Sequence, residues 1–88
     1  MNKHNDTAKK IKEILVRELG AEVDVENQSH LHAGHVGARS GGGHFFVVVR
    51  SAKFVGLAPL ARQRLVIAAV APMMDKEIHA LSMKCEIL

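Results

Sequence analysis

The sequence predicts an α+β fold: a single domain in the order α-β-β-α(α)-β, with a small mixed three-stranded sheet and its helices packed on one face. Three observations predict it. Apolar residues recur at helical spacing over 8–19 and again over 57–71. Residues 22–26 and 79–86 alternate with period two, and 45–49 is apolar throughout, so three segments read as strands. The 88-residue length fits one domain, residues 1–88, with one modest core.

The first helix is expected from about Asp6 to Leu19, with Asn5, Asp6 and Thr7 as candidate caps and Gly20 as its stop. Ala8, Ile11, Ile14, Leu15 and Leu19 supply its buried stripe. Glu22-Val23-Asp24-Val25-Glu26 is a half-buried strand. Residues 28–43 form a loop with five glycines, unusually long for so small a domain. Fixing it costs about 1–2 kcal/mol of backbone entropy per residue, so its order is expected to come from a partner. Phe45-Phe46-Val47-Val48-Val49 reads as a central strand. Leu57-Ala58-Pro59 opens a second helix, whose stripe is expected to be Leu60, Ala61, Leu65, Ala68 and Ala69. Pro72 lacks an amide donor and should kink or end it. In the last strand, alternation places His79, Leu81, Met83 and Cys85 on one face and Ala80, Ser82, Lys84 and Glu86 on the other. The first two strands can pair antiparallel, and the helical crossover suits a parallel third.

Charge is distributed unevenly. Residues 28–72 carry Arg39, Arg50, Lys53, Arg62 and Arg64 and no acid, whereas each flank is close to neutral. A positive surface of this kind serves an acidic protein or a nucleic acid. Cys85 is the single cysteine and excludes an intramolecular disulfide, which fits a reducing compartment. The N-terminus carries no apolar signal-like stretch, and the ten-residue run Leu65–Met74 is too short to span a bilayer, so a cytoplasmic setting without membrane contact is expected.

Histidine carries the chemistry. His30, His32, His35 and His44 fall within fifteen residues, with no acid between Gln28 and Pro72 to pair with them. Imidazole titrates near neutrality and ligates zinc, copper, nickel and iron. A closed structural zinc site wants four ligands, usually with cysteine, and this loop has no cysteine. One or two histidines completed by another protein's ligands fit the pattern better. Gly34-His35-Val36-Gly37 has the GXXG spacing of a nucleic-acid clamp, but it lies between strands and not between helices. No Gly-Lys-Ser/Thr follows the glycines, and no nucleophile-base-orienter set is present, so an enzyme is not expected.

Five motifs, in order, resemble the BolA family. They are Ser29-His30-Leu31-His32-Ala33-Gly34-His35, Gly43-His44-Phe45, Ser51-Ala52-Lys53-Phe54-Val55-Gly56-Leu57, Arg62-Gln63-Arg64-Leu65-Val66 and Ile78-His79-Ala80-Leu81-Ser82-Met83-Lys84. The resemblance spans nearly the whole chain. It implies an αββααβ fold related to class II KH domains. It also implies a monothiol glutaredoxin partner, with which a two-iron two-sulfur cluster is shared in iron-sulfur trafficking or iron regulation. The family's C-terminal cluster histidine falls on His79. Its loop ligand falls on His32, with His35 the competitor. No cluster is expected in the isolated chain, which is expected to be a monomer or weak homodimer. Two positions depart from the family pattern: Gln63 replaces a histidine between two arginines, and Pro72 replaces a polar residue. The alternative implied by some family members is a DNA-binding regulator, with Arg50, Lys53, Arg62 and Arg64 on phosphates.

Overall fold

The computed structural model describes residues 3–29 and 42–88. The expected loop 28–43 lies mostly outside them, and His30, His32, His35 and Arg39 lie wholly outside. Helix α1 spans Lys3–Leu19 and strand β1 Glu22–Asn27; β2 spans Gly43–Arg50, helix α2 Pro59–Val70 and β3 Ile78–Glu86. Short 3-10 turns at Ala52–Phe54 and Ala71–Met73 flank α2, so the extra helical element of the expected order is reduced to these turns.

Strand order is β1-β2-β3, with β1 antiparallel and β3 parallel to the central β2, as the sequence predicts. Phe45, Val47 and Val49 of β2 are buried, while His44, Phe46, Val48 and Arg50 between them are half-buried. The buried set packs with Ile11, Leu15 and Leu19 of α1 and Val66 and Val70 of α2. One sheet face is therefore core and the other is left without a helical layer, the arrangement an antiparallel edge tolerates. No helix among the described residues is long and apolar enough to cross a membrane.

Three local expectations need correction. Helix α1 begins at Lys3 and not near Asp6. The expected cap Thr7 sits one turn inside the helix, where its Oγ1 donates to Lys3 O at 3.0 Å, and Asn5 instead accepts from Asn27 Nδ2 at 2.8 Å. On α2 the buried stripe is Val66 and Val70, with Leu65 and Ala69 beside them; Leu60 and Ala68 are exposed. The helix is apolar nearly all round, so periodicity did not define its phase. Pro72 ends α2 as expected, falling in the 3-10 turn that follows.

The third correction bears on function. Gly43 pairs with Ile78 and the next residue, His44, pairs with Ala80, so His79 is an extra residue in β3 without a partner in β2. A bulge of this kind re-aims side chains and is rare in parallel pairs. Its effect here is to send Ile78 into the core and leave His79 exposed, apart from Leu81, Met83 and Cys85.

The opposite end of the sheet is closed by Ser51, which is fully buried. Its Oγ donates to Leu19 O at 2.7 Å and accepts from Lys53 N at 3.1 Å. Its amide donates to Glu86 O at 3.0 Å. One side chain thus ties the end of α1 to the turn after β2.

Candidate functional site

The site is built where β2 begins beside β3. Helix α2 ends at Val70, and the chain turns through Asp75, whose φ of 62° is left-handed. Asp75 N donates to Ile78 O at 2.8 Å, and Gly43 N donates to Glu77 O at 2.9 Å. The first bond closes the turn, and the second seats the entrance of β3 against that of β2. His79 follows at once, on the bulge.

Gly42 is required by this packing. A Cβ placed there would lie 2.8 Å from Lys76 O and 3.0 Å from both His79 N and His79 Cβ. The main chain therefore presses directly on the backbone of His79, a close approach only glycine permits.

His44 stands next to His79. Their ring centroids are 5.1 Å apart, with the rings tilted by 50°. The His44 main chain is held by the first two strands: Gln28 N donates to His44 O at 2.8 Å, and His44 N donates to Ser29 Oγ at 3.1 Å. His4, at the start of α1, meets Phe45 edge-on with centroids 6.4 Å apart. Three of the chain's six histidines therefore gather at the end of the fold where residues 30–41 leave and return. A cleft of about 520 Å³ lies at this same end, between the first turns of α1 and the Lys76-Glu77 turn.

Among the described residues no three histidine, cysteine or acidic groups are placed to hold a metal ion. The His44/His79 pair fits a share of a metal site and not a complete one. Cys85 is no substitute thiolate. It is partly buried against the core, and burial pushes its thiol above the ordinary value while the nearby Arg62 charge opposes this.

The four basic residues singled out for phosphates are dispersed. Arg50 lies on the uncovered sheet face, 3.2 Å from Glu86 and 3.8 Å from Asp24. Lys53 Nζ donates to Glu18 O at 3.0 Å. Arg62 is half-buried, with Nε donating to Leu57 O at 2.9 Å and Nη1 to Cys85 O at 3.3 Å. Arg64 is exposed on α2. Three of the four therefore hold contacts within the chain. His32 and His35 lie outside the described residues.

The family model described as BolA-like protein matches residues 15–87. The chain belongs to the BolA family. It is 39% identical over 75 residues to BolA-like protein 1 of Homo sapiens, covering 85% of this chain and 50% of that protein. It spans half the length of the mammalian relatives it matches. It is also 36% identical over 77 residues to a protein of Vibrio cholerae named DNA-binding transcriptional regulator BolA, covering 82% of this chain and 70% of that one. The BolA domain of SufE1 from Arabidopsis thaliana has the same fold, with a TM-score of 0.80 at 31% identity, covering 92% of this chain and 91% of that one.

Within this BolA fold, His44 is a neighbour of His79 that sequence reasoning did not select. Its signal was present in Gly43-His44-Phe45, but no sequence pattern pairs that motif with Ile78-His79-Ala80. Only the strand register does.

Proposed function

We propose that this BolA-family chain is a non-enzymatic adaptor that binds a monothiol glutaredoxin and shares a two-iron two-sulfur cluster with it, in iron-sulfur trafficking or iron regulation. The observation that supports this reading is the exposed imidazole of His79, set on a bulge beside a second imidazole at one end of the fold. Exposure lets a partner's ligands approach, and imidazole is a fitting donor to iron. The glutaredoxin cysteine and its glutathione would complete the site. Histidine ligation raises a cluster's potential and makes its release sensitive to protonation. A cytoplasmic setting, where Cys85 stays reduced, goes with this reading.

The test is co-expression with a monothiol glutaredoxin, then visible absorption and iron analysis of the purified complex. His79→Ala should stay cooperatively folded and lose the histidine-ligation features of the spectrum. An unchanged cluster spectrum in that variant would remove His79 as a ligand.

DNA binding is the second reading, prompted by the name of the Vibrio cholerae relative. It ranks lower here because Arg50, Lys53 and Arg62 are engaged within the chain. Phosphate binding would show as a steep salt dependence, roughly 0.9 in log–log slope per phosphate contact.

A further inference from the structure

We propose that the uncovered face of the sheet is a docking surface for a basic amphipathic helix of a partner protein, laid along β2 with its cations on an acidic row of β1.

The central strand carries the observation. Phe45-Phe46-Val47-Val48-Val49 is apolar without interruption, the pattern of a strand covered on both faces. Phe45, Val47 and Val49 are buried in the core with α1 and α2. Phe46 and Val48 alternate with them and are half-buried on the opposite face. A sheet face that meets water carries polar residues at such positions. Here the two middle positions are apolar, so the face lacks the layer that its central strand calls for.

Strand register fixes what flanks this apolar stripe. Glu26 stands opposite Phe46, Asp24 opposite Val48 and Glu22 opposite Arg50, and all three acids are exposed. On the other flank, Lys84 stands opposite Val48 and Glu86 opposite Arg50. Both cations of the face are already engaged: Arg50 reaches Glu86 at 3.2 Å and Asp24 at 3.8 Å, and Lys84 reaches Glu86 at 3.8 Å. Glu22 and Glu26 take part in no ion pair among the described residues.

Charge selects the occupant. Carboxylates outnumber Lys and Arg on this face, so it repels phosphates, and two copies set face to face would bring like charges together. A partner with cations beside an apolar stripe complements both features. The spacing suits a helix. Alternate residues of a strand lie about 6.8 Å apart, and residues four apart on a helix rise about 6 Å. Cations at i, i+4 and i+8 therefore run along Glu22, Asp24 and Glu26, while the neighbouring apolar row meets Phe46 and Val48. Three strands about 4.8 Å apart make a face about 10 Å wide, close to the diameter of one helix.

The experiment titrates the intact chain into a fluorescein-labelled helical peptide of leucine and lysine, with lysines at i, i+4 and i+8 beside a leucine stripe. A peptide of about 18 residues matches the eight-residue length of β2. Anisotropy should rise to saturation, and amide NMR shifts should concentrate on β1 and β2 and spare α1 and α2. A peptide with glutamates in place of the lysines should not bind. The triple variant Glu22→Gln/Asp24→Asn/Glu26→Gln should bind about tenfold more weakly, having lost three exposed ion pairs. Phe46→Thr, which keeps a strand-favouring residue, should also bind several-fold more weakly. Circular dichroism checks that both variants fold. No saturable binding, shifts confined to the helices, or full affinity in the folded triple variant overturns the proposal. So does a chain that sediments as a dimer and becomes monomeric in Phe46→Thr, because a second copy is then the occupant.

Discussion

Substituting Gly42 by alanine is expected to damage stability and site together. The added Cβ would lie 2.8 Å from Lys76 O and 3.0 Å from His79 N and Cβ. Two of these three atoms are main chain, and the third is fixed to the main chain, so no rotamer change relieves the clash. Either the 74–77 turn or the bulge must move. Overpacking of this kind costs about 1–3 kcal/mol. In a domain of this size each kcal/mol lowers Tm by about 4–8 °C. A fall in Tm on the order of 10 °C is therefore expected, measured by thermal circular dichroism. The same shift displaces His79, so the cluster spectrum of the proposed glutaredoxin complex should change as well. Gly20→Ala separates the two effects. Gly20 has φ 57° but nothing within 4 Å of its absent Cβ. It should lose about 1 kcal/mol through backbone strain and keep a wild-type cluster spectrum. If Gly42→Ala kept both the wild-type Tm and the wild-type spectrum, the packing of residue 42 against His79 would be refuted.

Three further outcomes follow from other contacts. Ser51→Ala leaves Leu19 O and Lys53 N without their buried partner and should cost about 1–3 kcal/mol in urea unfolding; an unchanged midpoint would contradict that role. The Cys85 thiol is raised in the folded state by burial, so the unfolded chain ionises first as pH climbs past about 9. Stability contributed by the neutral thiol is complete below that pH and declines above it, and Cys85→Ala should show the shallower alkaline loss. Arg62→Ala should lower stability, because it removes donors from Leu57 O and Cys85 O, whereas Arg64→Ala should not. The Arg62/Arg64 double variant should nevertheless assemble the cluster, since surface charge tunes encounter while ligands hold the metal. Loss of the cluster in a folded double variant would show that this helix belongs to the glutaredoxin interface.

The sequence by itself determined what local periodicity and local chemistry can carry. The spacing of Ile11, Leu15 and Leu19 is a property of one turn of helix after another, and Gly20 marks the stop through its own φ. The alternation of Val23 and Val25 with acids identified a half-buried strand, and the unbroken run Phe45–Val49 identified the central one. The Ile78-His79-Ala80 family motif was legible because it is contiguous. Tertiary structure decided what depends on a neighbour distant in the chain. Val66 and Val70 became the buried stripe of α2 because the sheet and α1 lie on that side, not because the helix's own pattern selected them. Arg62 reads as a free cation until the ends of β3 and of the 57–58 turn place two carbonyls beside it. The proximity of His44 and His79 was hidden for the same reason. The two residues are 35 positions apart, and a one-residue register shift decides which side chains meet. Side-chain direction in a strand has period two, so a single extra residue reverses every expectation on one side of it.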